Sequence, residues 1–179
     1  MIALSRLLPV LLACLVSACA GGRRASSDHD LRYPGLSCAP FARELTGIQL
    51  RGDAGGWWSA ASGRYERVRS PEIGSVLVFQ SVGRLPSGHV SVVSRVHGPR
   101  LIDVIQANWV PGELERDQPV LDVSAPNDWS LVKVWYPPIG QLGSHAYPTY
   151  GFILPRAPLN HDTLASAAGP AAERTLQGR

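Results

Sequence analysis

Four short runs rich in valine and isoleucine, at residues 75–80, 90–96, 101–107 and 131–135, all follow Pro71 and are separated by glycine, proline and asparagine. Runs of this length and composition, bounded by turn formers, read as strands, and their succession predicts an antiparallel meander. Ahead of Pro71 the pattern is helical. Ser37 stands where an N-cap belongs, a helix begins at Cys38 or Ala39 with Pro40 in its first turn, and Gly47 ends it. Asp53 offers a cap for a second helix that carries Trp57, Trp58, Ala60 and Ala61 and stops at Gly63. Helices first and antiparallel strands after them make an α+β layout.

The folded unit is expected over residues 31–155, and an apolar share of 45% is enough to bury the core of one domain. Residues 136–155 (YPPIGQLGSHAYPTYGFILP) read as an extension packed along the domain surface. Residues 156–179, rich in alanine and polar side chains and without aromatics, read as a disordered tail. Charge argues little. The basic residues are scattered arginines and Lys133, the cluster Arg64, Arg67 and Arg69 reads as a solvated face, and no basic stripe with interleaved aromatics suggests nucleic acid.

At the N-terminus, residues 1–6 supply one positive charge, and residues 7–16 form an apolar run interrupted by Pro9. That length fits a signal-peptide core and is too short to span a bilayer. Val16-Ser17-Ala18-Cys19 resembles the lipobox of bacterial lipoproteins, in which small residues precede a cysteine that is lipidated on sulfur and becomes the new N-terminus. The resemblance implies a signal over residues 1–18, a lipid on Cys19, a small polar tether over residues 19–30 and firm anchoring to a membrane by several acyl chains. A second match, Leu11-Leu12-Ala13-Cys14, leaves a much shorter apolar run and ranks below it. Ala20 in place of an aspartate points to the periplasmic face of the outer membrane; a cleaved signal without lipidation, and hence a secreted protein, is the alternative.

On the lipobox resemblance, of the three cysteines Cys14 would leave with the signal and Cys19 would be acylated, which leaves Cys38 without an intramolecular disulfide partner. In an oxidising compartment such a thiol is either buried and inert or kept for chemistry. The first turn of a helix favours the second use: the macrodipole and the unpaired N–H groups there lower a thiol pKa. A nucleophile also needs a base and an orienter for that base. His89 begins a strand in Gly88-His89-Val90, where its ring is expected to face the helix. Gln106 and Asn108 lie on the next strand, on one face by the two-residue period, and either can accept a hydrogen bond from the imidazole. The backbone N–H of Cys38 is the nearest donor for an oxyanion. Tyr33 either supports that site or packs beneath it.

Other conspicuous side chains read as structural. His97 lies in a hairpin turn, and His29, His145 and His161 fall in tether, loop and tail. Trp57, Trp58 and Trp109 read as core or cleft wall, and Asp53 as a helix cap. No pair of His, Asp or Glu stands at ligand spacing beside Cys38, so no metal or cofactor is expected.

The stretches GLSCAPFAREL, GDAGGWW, SPEIGSVLVFQ, SGHVSVVSRV and IQANW follow one another in an order that resembles the CHAP family of cysteine, histidine-dependent amidohydrolases and peptidases, over roughly residues 35–135. The resemblance implies a papain-like α+β fold in which a helix bearing the cysteine packs on an antiparallel sheet bearing the histidine. It also implies cleavage of an amide bond in peptidoglycan or related cell-wall peptides, by an amidase or an endopeptidase. Carried over by motif, Cys38 is the nucleophile, His89 the general base and Asn108 the orienter. Many members have a glutamate two residues before that asparagine, where this chain has Gln106. A neutral amide stabilises an imidazolium less than a carboxylate does. Two readings therefore stand: a lipid-anchored peptidoglycan hydrolase, or a non-catalytic envelope lipoprotein that keeps the fold and binds cell-wall peptides.

Overall fold

The computed structural model describes residues 32–178, so the signal, Cys19 and the whole of the tether lie outside the described residues. Helix α1 (Cys38–Thr46) is amphipathic and buries Ala39, Phe41, Ala42 and Leu45. Ser37 occupies the N-cap in extended conformation and accepts the first helical hydrogen bond through its carbonyl, from the Phe41 N–H at 3.1 Å; its side chain makes no capping bond. Gly47, at φ 73°, ends the helix in the left-handed region that glycine enters without steric cost. The second expected helix is two single turns: a 3₁₀ turn (Ala54–Gly56) running into α2 (Trp57–Ala60). Adjacent glycines, Gly55 and Gly56, are poor helix formers, and tertiary packing of the buried Trp57 holds the segment instead.

Eight strands follow: β1 (Arg67–Val68), β2 (Val76–Phe79), β3 (His89–Gly98), β4 (Leu101–Ala107), β5 (Leu114–Asp122), β6 (Leu131–Tyr136), β7 (Gln141–Leu142) and β8 (Tyr147–Ile153). All pair antiparallel in the order β1-β8-β2-β3-β4-β5-β6-β7. β8 also pairs with β6 through Leu131↔Pro148 and Val132↔Tyr147, so β2, β3, β4, β5, β6 and β8 close on themselves. The expected antiparallel meander is present in β2 to β6 and closes into a sheet through β8. The segment 136–155, expected on the surface, contains the strand that closes it. Gly151 lets β8 run close to β1, since a Cβ there would lie 2.6 Å from the Val68 carbonyl oxygen.

Closure gives the sheet two buried faces. Val76, Val78, Val90, Val92, Ile105 and Ala107 join the core beneath the helices, with Phe41, Leu45 and Trp57. Leu77, Phe79, Val93, Val104, Val120 and Phe152 fill the barrel interior. This explains the unbroken apolar run of β2, whose four residues are all buried, because a strand covered on both faces loses its polar alternation.

Residues 156–179, expected to be a disordered tail, instead contain helix α3 (His161–Gln177), capped by Asn160, whose Oδ1 accepts from the Thr163 N–H at 2.9 Å. Leu164, Ala168, Ala171 and Ala172 recur at helical spacing, are fully buried and join the core under α1. Arg174 pairs with Glu44 of α1 at 3.1 Å. Alanine faces allow two helices to approach closely, which is how an alanine-rich stretch without large side chains still earns a packed helix. No helix among the described residues is long and apolar enough to cross a membrane.

Candidate active site

The start of α1 and the start of β3 meet, bringing Cys38 against His89. The Cys38 sulfur hydrogen-bonds the imidazole and receives the backbone N–H groups of Val90 and Ala39. Burial alone would raise the thiol pKa, but the charge of His89, its hydrogen bond and those two N–H donors outweigh it and hold the thiol below its ordinary value. His89 is 3% exposed. Burial pushes its imidazole down, whereas the Cys38 thiolate, the hydrogen bonds from both sides and the charge of Glu115 raise it above the usual histidine range. Both shifts favour a thiolate–imidazolium pair.

The other ring nitrogen fixes the tautomer. His89 Nε2 lies 3.0 Å from Gln106 Oε1. A carbonyl oxygen only accepts, so Nε2 carries a hydrogen, which leaves Nδ1 to exchange a proton with Cys38. The ring is also held by packing, with Phe79 at 5.4 Å edge-on and Trp109 at 5.0 Å between ring centres. Gly88, immediately before His89, sits at φ 68° against Gly55, where any Cβ would come within 2.6 Å of backbone atoms. Gly55 of GDAGGWW and Gly88 of SGH therefore serve one contact, the seating of the histidine strand against the 3₁₀ turn.

Asn108, expected to orient the ring, does not. β4 ends at Ala107, and Asn108 turns out of the strand at φ 65°, so the two-residue period that would have aligned it with Gln106 fails. Its Oδ1 accepts from the Gly112 N–H at 2.9 Å, closing the turn into β5. Tyr33 packs against the same core as Cys38, and its backbone N–H donates to the Gly112 carbonyl. His97 pairs with Asp103 at 2.7 Å, and His161 stands near Asp117 at the start of α3. Trp57 is core and Trp109 is cleft wall.

A cleft of about 410 Å³ opens beside His89, Asn108 and Trp109. Its far side comes from the loop before β3 (Arg84, Leu85) and from β6 to β8 (Tyr136, His145, Tyr147). Arg84 and His145 are exposed, and no Asp or Glu lines this cleft among the described residues. Sequence reasoning left Arg84 and His145 in loops; the barrel closure that gathers them is long-range. Nor did it single out Glu115, which is 4% exposed, occupies the position on β5 directly opposite Gln106, and accepts the Val110 N–H at 2.6 Å.

The site thus joins a thiol of lowered pKa, an imidazole with a fixed tautomer and an adjoining cleft. Residues 28–108 match the CHAP domain family model. CHAP domains are in general peptidoglycan hydrolase or amidase domains, and the match supports that family for this chain. The CHAP match takes in Cys38, His89, Gln106 and Asn108 and stops there, before β5 and every element that builds the far side of the cleft beyond the Arg84 loop. No curated protein matches the chain.

Proposed function

We propose that this protein is a papain-like CHAP cysteine hydrolase that cleaves an amide bond in peptidoglycan, as an amidase or an endopeptidase, at the bacterial cell envelope. The observation that carries the reading is the hydrogen-bonded series Cys38–His89–Gln106 at a helix start, with the thiol pKa lowered and the imidazole pKa raised. In the reaction the Cys38 thiolate attacks the amide carbonyl carbon, and the negative charge moves to the carbonyl oxygen, met by the Cys38 N–H at the helix start. The C–N bond breaks as His89 gives its Nδ1 proton to the leaving amine, leaving a thioester. Water then loses a proton to His89 and attacks the thioester; the acid departs and the thiolate–imidazolium pair is restored.

The cleft supports a peptide substrate with acidic groups. Arg84 and His145 border it without a carboxylate among the lining residues, and cell-wall stem peptides carry free carboxylates that a guanidinium binds well. Lipidation at Cys19 and a place on the outer membrane belong to the same proposal, supported by the lipobox resemblance. The test is digestion of purified peptidoglycan with wild-type protein and with Cys38→Ala, followed by mass spectrometry of the fragments. Glycan ends freed of peptide mean an amidase and shortened stem peptides an endopeptidase; identical traces from the two proteins overturn the hydrolase.

A further inference from the structure

We propose that Glu115 is the charge partner of the catalytic histidine, acting through Gln106, so that the carboxylate missing from β4 is supplied by the neighbouring strand β5. Gln106 and Glu115 are directly paired in the β4–β5 register, and paired residues of antiparallel strands put their side chains on one face within reach of each other. Gln106 is fully buried and Glu115 nearly so. Each has one polar atom accounted for: Gln106 Oε1 on His89 Nε2, and Glu115 Oε1 on the Val110 N–H. Each has one buried atom without a partner among the described residues, and the two are complementary, the donor Gln106 Nε2 and the acceptor Glu115 Oε2. A buried donor and a buried acceptor left unpaired on facing residues are costly apart and cancel together.

The electrostatics run the same way. The Glu115 charge raises the His89 pKa, and the His89 charge in turn opposes the burial that pushes the Glu115 carboxyl up to about 7; Glu113, ion-paired to Arg32, pushes it up slightly further. In the proposed arrangement Gln106 Nε2 closes on Glu115 Oε2; an amide that gives its N–H to a carboxylate has a more negative carbonyl oxygen, and that oxygen is what His89 Nε2–H meets. Gln106 is therefore a relay and Glu115 a positioning residue that stabilises the imidazolium from one strand away. A purely structural Glu115, holding the turn through Val110, would need no charge.

The inference rests on the proposed Cys38–His89 pair, and the experiment separates the two. The rate of Cys38 alkylation by iodoacetamide is measured against pH for wild type, Glu115→Gln, and Glu115→Gln combined with Gln106→Glu. Glutamine keeps an acceptor for Val110 and removes only the charge. Glu115→Gln is expected to raise the thiol midpoint and to lower the rate by up to about tenfold around pH 7, where the wild-type Glu115 carboxyl ionises. The double variant, with its carboxylate directly on His89 Nε2, is expected to restore the wild-type profile. A Glu115→Gln profile that overlays an activated wild-type profile overturns this inference alone; an ordinary wild-type midpoint near 8.5 overturns the proposed function and this inference with it. Should Glu115→Gln not fold, carboxyl NMR of the wild-type protein decides: alkylating Cys38 removes the thiolate that holds the imidazolium, so the Glu115 midpoint rises, and a midpoint that stays put overturns the relay.

Discussion

Gln106 Oε1 accepts from His89 Nε2 at 3.0 Å, while Asn108, two residues along the chain, spends its own oxygen on the Gly112 N–H. The orienting role therefore falls to the residue inside the strand, and the two amides separate cleanly by mutation. Gln106→Ala removes the hydrogen bond that fixes the imidazole tautomer and is expected to lower kcat about tenfold, within the range a positioned base contributes. Asn108→Ala removes a turn hydrogen bond and places alanine in a left-handed conformation, so it is expected to cost about 1 kcal/mol of stability with a smaller loss of kcat. Steady-state kinetics and urea denaturation of both variants check this; a larger kcat loss for Asn108→Ala would reverse the assignment.

Gly88 sets the entry of the histidine strand. A methyl group there meets Gly55 N at 2.5 Å and the Phe79 carbonyl oxygen at 2.8 Å, and φ 68° is itself unfavourable for alanine. Backbone atoms on both sides leave nothing flexible to yield. Gly88→Ala is expected to cost on the order of 2–4 kcal/mol and to slow Cys38 alkylation by shifting His89. Denaturant unfolding together with alkylation kinetics tests both effects, and a variant as stable as wild type would contradict the close contact.

Much of the site was legible because its signals are local. Cap, proline and glycine positions located α1 and put Cys38 at its start, and Gly88-His89-Val90 announced a strand beginning on a histidine. The orienter was ambiguous because period-two reasoning assumes an unbroken strand, and the left-handed Asn108 ends it. β5 stayed hidden because LERDQPVLD mixes charges and a proline with its apolar residues, and barrel closure by β8 depends on contacts far apart in sequence. Helix α3 was missed because its buried face is made mostly of alanines and because Gly169-Pro170 in its middle argues against a helix. Packing on α1 overrides that local preference.

The Glu115 carboxyl, raised from 4.5 to about 7 by burial, makes stability depend on pH. Its folded-state pKa lies above the unfolded one, so the folded protein holds this proton more tightly. Stability is then greatest below about 4.5 and declines as pH rises through 7, by on the order of 3 kcal/mol for this group. The shift of Asp117 is in the opposite direction and acts below its ordinary value of 3.8, outside this window. Glu115→Gln is expected to flatten the decline between pH 4.5 and 7. Urea denaturation of wild type and variant at half-unit intervals measures the difference, and parallel curves would show that the carboxyl is not held protonated.

Arg84 tests the cleft. It borders the cavity on the loop before β3, and His89, the partner of Cys38, lines the same cavity, so a substrate that fills it brings a group near the guanidinium as its amide reaches the Cys38–His89 pair. A carboxylate there gains a charge-assisted hydrogen bond worth about 1.5 kcal/mol or more, about tenfold in affinity. Arg84→Ala is expected to raise KM about tenfold for a stem-type peptide with a free carboxylate, to leave KM unchanged for the same peptide amidated, and to change kcat little for either, because the guanidinium does not touch the reacting atoms. Arg84→Lys should recover part of the loss, since it keeps the charge and forgoes the bidentate fork. Kinetics on the matched peptide pair give the answer: equal KM changes for both peptides would mean that Arg84 shapes the cleft without reading charge.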